Sequence, residues 1–188
     1  MSTANPQRRA VLKGGSLLTL LYSIDGIATL LSPREAHTKA VALQALSPVE
    51  CRTLEAIGEV LLPGARSAGL AEYVDYQLSI DFGDCLLAAR VVDVAPPLAA
   101  FYRAALASID AAAKRTMGSV FATLPAEAQI VFVKTMATSD PPGWDGPPAP
   151  LVFYLLRSDA IDVCYGTAEA YERLGVPYMP HLLPGTAW

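Results

Sequence analysis

Fifteen prolines occur in this 188-residue chain, and they are bunched rather than scattered. A proline inside a helix removes a backbone hydrogen bond and clashes with the preceding turn, at a cost of about 3 kcal/mol. The bunches therefore divide the chain into short segments that can be read one at a time. Ser47-Pro48-Val49-Glu50 predicts a helix start: serine caps, proline takes the first helical position and glutamate completes a capping box. Leu54, Ile57 and Leu61 recur on one face, and Pro63-Gly64 stops the helix. A short second helix is expected from Ala71 to Leu78, and Asp81 to Asp84 reads as a loop. Cys85 to Val94 is apolar and reads as helix from its neighbours. Pro96-Pro97 opens the clearest helix, with Leu98, Phe101, Tyr102, Ala105, Leu106, Ile109 and Ala113 at helical spacing and Arg103, Asp110 and Lys114 off that face.

Phe121 and Leu124 precede Pro125, after which a helix is expected to Ala137. Ile130, Val131, Phe132, Val133 and Met136 make it apolar over most of its girth, the pattern of a central element. The stretch from Ser139 to Pro150 holds five prolines around Trp144 and is a loop, either a structural cover or a docking element. A last helix is expected from Leu151 to Tyr165, ending at Gly166. No alternating strand pattern is counted. The expected fold is all-α: a helical domain over 43–165 with a long Pro-rich loop, followed by an extended tail over 166–188.

Residues 1–42 read differently. Arg8-Arg9 is followed by Ala10-Val11, Leu12 and Lys13, then by a weakly hydrophobic stretch from Ser16 to Leu31. This resembles a twin-arginine export signal, with Arg8, Arg9, Leu12 and Lys13 in place. Asp25 and Gly26 interrupt the stretch, and an aspartate at bilayer centre costs on the order of 3 kcal/mol. At about sixteen residues it also falls short of the roughly twenty that span a bilayer. Ala40-Val41-Ala42 offers a small-x-small cleavage form, and retention of the segment is the other option. A retained segment would be an amphipathic helix lying on the protein, or an interfacial helix from Leu17 to Leu31 making the chain a membrane-surface scaffold.

Hydrophobic residues make up 53% of the chain and charged residues 17%, below the roughly 25% of a typical soluble domain. Mean hydropathy is +0.34. An apolar N-terminal segment and a surface meant for a partner both explain the excess. The net charge of -4, with no basic stripe, excludes nucleic-acid binding. Cys51, Cys85 and Cys164 form no CxxC or CxxCH; they read as buried free thiols, or as one bridge and one thiol in an oxidising compartment.

An independent small enzyme is the competing reading. His181 with Cys164 or Asp162 would supply a nucleophile–base pair. A lone histidine between Pro180 and Leu182 reads better as structural. Asp159/Asp162 and Glu169/Glu172 read as solvated helix faces. No cluster has metal-ligand spacing, and neither GxGxxG nor GxxxxGK[ST] occurs. No catalytic, cofactor-binding or metal residue is therefore assigned.

From Gly175 the prolines at 177, 180 and 184 forbid helix, yet Tyr178, Met179, Leu182, Leu183 and Trp188 are large and apolar. Such a tail lies along its own domain or along another protein. The order of features resembles the gluconate 2-dehydrogenase subunit 3 family. These features are the twin-arginine start, Leu46-Ser47 with Glu50 and Leu54, Leu61-Leu62-Pro63, Gly69 with Tyr73-Val74-Asp75, Phe121 with Leu124, and Gly166 with Tyr171 and Leu174 to Tyr178. The resemblance implies a non-catalytic small subunit. Its larger partner would hold FAD and oxidise an alcohol group of a sugar or related compound, a cytochrome c subunit being one acceptor. It also implies a periplasmic location, with membrane association through the complex. Trp144, Pro177, Tyr178, Met179, His181, Leu182 and Trp188 are the expected partner contacts.

Overall fold

The computed structural model describes residues 19–24 and 26–175. It is mainly helical, as expected, with one small two-stranded sheet. In chain order the elements are β1 (Leu20–Ile24), β2 (Ile27–Leu31), α1 (Pro33–Thr38), α2 (Pro48–Leu61), α3 (Leu70–Ser79), α4 (Ala88–Val91), α5 (Leu98–Met117), a 3-10 turn (Phe121–Thr123), α6 (Ala126–Met136), α7 (Ala149–Tyr165) and α8 (Ala168–Arg173).

The largest correction falls at the start. The stretch from Leu20 to Leu31 is a hairpin, not a helix, in register Leu20↔Leu31 to Ile24↔Ile27. Asp-Gly between two apolar runs is the strongest short-range hairpin signal, and Gly26 takes the positive φ (78°) that such a turn requires. Leu20 and Tyr22 point inward while Ser23 is exposed. Tyr22 stacks at 5.3 Å on Tyr76 and donates to the Glu72 carbonyl. This stretch is therefore no interfacial helix. Ser32-Pro33-Arg34-Glu35 then repeats the Ser-Pro-x-Glu pattern of α2, and both sites form complete capping boxes. A second capped helix thus follows the hairpin, where the sequence had suggested only the end of an apolar run.

α2 and α3 form as expected. Asp75 on α3 accepts the amides of Gln44, Ala45 and Leu46 at 2.8, 2.9 and 2.8 Å, fixing the segment that leads into α2. Gly69, at φ 87°, caps α3, and a Cβ there would collide with the Pro33 backbone. Glycine at this position lets α1 lie against the start of α3. α5 buries the predicted face from Leu98 to Ala113, with Phe101 half-buried. Asp110, off that face, accepts Thr53 of α2 at 2.8 Å and the Phe121 amide at 3.0 Å.

Four further expectations are corrected. Cys85 to Val94 gives only the single turn α4, with the Gln77 side chain holding the Leu86 amide and Asp93 at φ 58° ending it. The central helix is α7, which packs on α2, α3, α4, α6 and α8. α6 instead lies at the surface, with Phe132, Val133 and Met136 inward and Ile130 and Val131 outward. Asp159 is fully buried rather than solvated. Finally, the region after Gly166 starts with α8, capped by Thr167 accepting the Ala170 amide at 3.2 Å.

Candidate partner interface

An apolar helix at a surface must end in solvent or under another chain. α6 presents Ala126, Glu127, Ile130, Val131 and Lys134 outward. Ile130 is 44% and Val131 56% exposed. On α7, Tyr154, Ile161 and Tyr165 recur at seven and four residues and share one outward stripe. Tyr154 is 53% exposed. Exposed aromatic side chains such as Tyr154 and Tyr165 are of the kind enriched at interface centres. The sequence showed the apolar girth of α6. It did not show that half of that girth faces out, because which side meets the core is decided by packing on α2 and α7.

The loop from Ser139 to Pro150 is pinned to the body. Ser108 on α5 donates to the Asp145 carbonyl at 2.7 Å, and Gly146 lies directly against Ser108. Asp140 accepts the Ala149 amide at 2.7 Å, satisfying a free donor at the start of α7. Trp144 packs part of its ring on the core and donates its indole N–H to Pro147 at 2.7 Å. The loop thus behaves as a cover for α5 and α7, with one edge of Trp144 still open. Arg8, Arg9, Leu12, Lys13, Pro177, Tyr178, Met179, His181, Leu182 and Trp188 lie outside the described residues.

The titratable interior bears on catalysis. Burial pushes the Cys51 thiol up to about 12, helped by Asp75 and neighbouring glutamates. It also raises Cys85 and Cys164. All three are buried free thiols in their protonated form, the inert condition of cysteine. Burial raises the Asp159 carboxyl to about 7, although its Oδ2 accepts the Tyr102 hydroxyl at 2.7 Å, which works the other way. The Ala88 backbone N–H also works to lower it. Tyr102 and Tyr73 are pushed well above the usual tyrosine range, first by burial and then by Asp159. This cluster joins α3, α5 and α7 within the core. A groove of about 160 Å³ runs between Gln77, Phe82, Cys85 and Pro97. That is small beside the roughly 300–1,000 Å³ of ordinary small-molecule sites.

One group of polar side chains escaped the sequence reading. His37 of α1, Glu55 of α2 and Glu72 of α3 converge, with His37 Nδ1 2.9 Å from Glu72 Oε1 and 4.0 Å from Glu55 Oε1. The residues are 18 and 17 positions apart, so no local motif announces them. His37 also lies within residues 1–42, whose pattern reads as an export segment.

The sequence pattern of the gluconate 2-dehydrogenase subunit 3 family matches residues 48–185, well over half of the chain. The chain belongs to that family. No curated protein and no solved structure matches it. The match spans those features of the resemblance that lie between Glu50 and Tyr178. In this subunit, Asp75 ties down the approach to α2, Gly69 admits α1, and Gly166 closes α7. Membership also implies a dehydrogenase partner.

Proposed function

We propose that this chain is a non-catalytic small subunit that stabilises a larger FAD-dependent sugar or alcohol dehydrogenase and is exported with it by the twin-arginine route. The family match over 48–185 carries the reading. The outward apolar faces of α6 and α7 support it, because a partner surface would remove Ile130, Val131 and Tyr154 from water. The partner carries the flavin and the reaction; a cytochrome c subunit takes the electrons on. In the periplasm the complex is held at the membrane through that assembly. The tail from Gly175 to Trp188 and the open edge of Trp144 add contacts to the same partner.

The twin-arginine route carries folded cargo, so a partner can acquire FAD before export. The test is replacement of Arg8 and Arg9 by lysine in a strain that makes both subunits, followed by fractionation. Both chains should then remain in the cytoplasm. Normal arrival of the dehydrogenase in the periplasm would refute the carrier role.

A further inference from the structure

The geometry points to a divalent transition-metal site, best suited to Zn²⁺, formed by His37, Glu55 and Glu72. Their ligand atoms all lie within 4.8 Å of one another. Ligands about 2.1 Å from a tetrahedral zinc stand about 3.4 Å apart, so small side-chain rotations close the set around one ion. One imidazole nitrogen and two carboxylates form a borderline donor set suited to zinc and its first-row neighbours rather than to calcium or magnesium.

Glu72 supplies an independent sign. Its Oε2 is buried and makes no hydrogen bond, although only 11% of the side chain is exposed. An orphaned carboxylate oxygen at such depth is costly unless something positive meets it. His37 reaches only the other oxygen, Oε1. Glu55 is already oriented, because Arg66 lies 3.7 Å from its Oε2 and leaves Oε1 turned toward His37. His37 and Glu55 remain 31% and 21% exposed, which gives an ion and one water ligand a way in.

The three ligands come from α1, α2 and α3. A bound cation would therefore staple α1, and the hairpin before it, to the helical body. The competing arrangement is a plain His37–Glu72 hydrogen bond, which would take up no metal.

The test uses the full chain, stripped with a chelator and dialysed. Calorimetric titration with Zn²⁺ should show one equivalent bound per chain. Co²⁺ should give the intense visible bands of a low-coordinate N/O site, and the thermal midpoint should rise with free Zn²⁺. Glu55→Gln and His37→Gln should each weaken binding at least tenfold, whereas Glu127→Gln on exposed α6 should not. Absence of Zn²⁺ uptake by the stripped chain overturns the site. So does uptake that survives both ligand substitutions, since the ion then sits elsewhere, at a cysteine for example. Glu55→Gln alone decides the matter if His37→Gln fails to fold.

Discussion

Replacing Asp75 should test how the helical body is held together. Its carboxylate is the common acceptor for three consecutive amides at 2.8–2.9 Å, and the segment it holds places the Ser47 cap of α2. A hydrogen bond to a charged group contributes about 1.5–3 kcal/mol. The three bonds share one carboxylate and do not add fully, and water can replace part of the loss at exposed Gln44. Leu46 is buried and has no such replacement. Asp75→Ala should therefore cost about 3–4 kcal/mol, a large part of the 5–15 kcal/mol that a domain typically has. Asp75→Asn keeps an acceptor for some of the amides and should cost about 1–2 kcal/mol. Urea denaturation followed by far-UV circular dichroism measures both, with an unchanged m-value confirming that the same unit unfolds. A loss below about 1 kcal/mol for Asp75→Ala would show that the segment is held by other contacts and refute the reasoning.

Further outcomes follow from other residues. Asp159 has its folded pKa raised to about 7 from an ordinary 3.8, so the fold binds its proton more tightly than the unfolded chain does. That contribution is fully present below about pH 4 and is lost as pH rises to about 7, by at most about 4 kcal/mol. Asp159→Asn should flatten this dependence in guanidinium melts at pH 5 and pH 8; an unchanged slope would place its origin elsewhere. Gly69→Ala should destabilise by more than about 2 kcal/mol, because the new methyl meets the Pro33 backbone at a positive φ, and a thermal melt within error of the parent would contradict this. Ile130→Ser with Val131→Ser should leave the melt nearly unchanged but weaken partner capture at least tenfold in a pull-down. Unchanged capture would move the interface away from α6.

Much of the fold was legible in local chemistry. The capping box at Ser47, the punctuation at Pro63-Gly64 and Pro96-Pro97, and the apolar face of α5 act over a few residues, so pattern suffices to find them. The errors arose where a local pattern has two uses. Leu20 to Leu31 has the hydropathy of a signal segment, and its Asp-Gly centre argues against a bilayer helix while favouring a hairpin turn. Residues 85–94 are apolar enough for a helix, but side-chain capping by Gln77 draws the chain into a loop. The outward side of α6 and the burial of Asp159 depend on how α7 crosses its neighbours, which no single segment encodes. The His37–Glu55–Glu72 group is more distant still, since three separate helices must pack before its members meet. Two residues of the family resemblance serve contacts set by the fold: Gly69 lies against the Pro33 backbone, and Asp75 holds the amides of residues 44–46.

We propose above that this subunit acts by holding a flavin dehydrogenase. It is tested most directly by purifying the tagged full chain from a host that also makes its partner, then recording the visible spectrum and the turnover of sugars with a dye acceptor. A yellow complex with a larger flavin-bearing chain in fixed ratio is expected, active as a complex and inactive once the small subunit is separated. A colourless chain that purifies alone, or turnover by the separated small subunit, would contradict it.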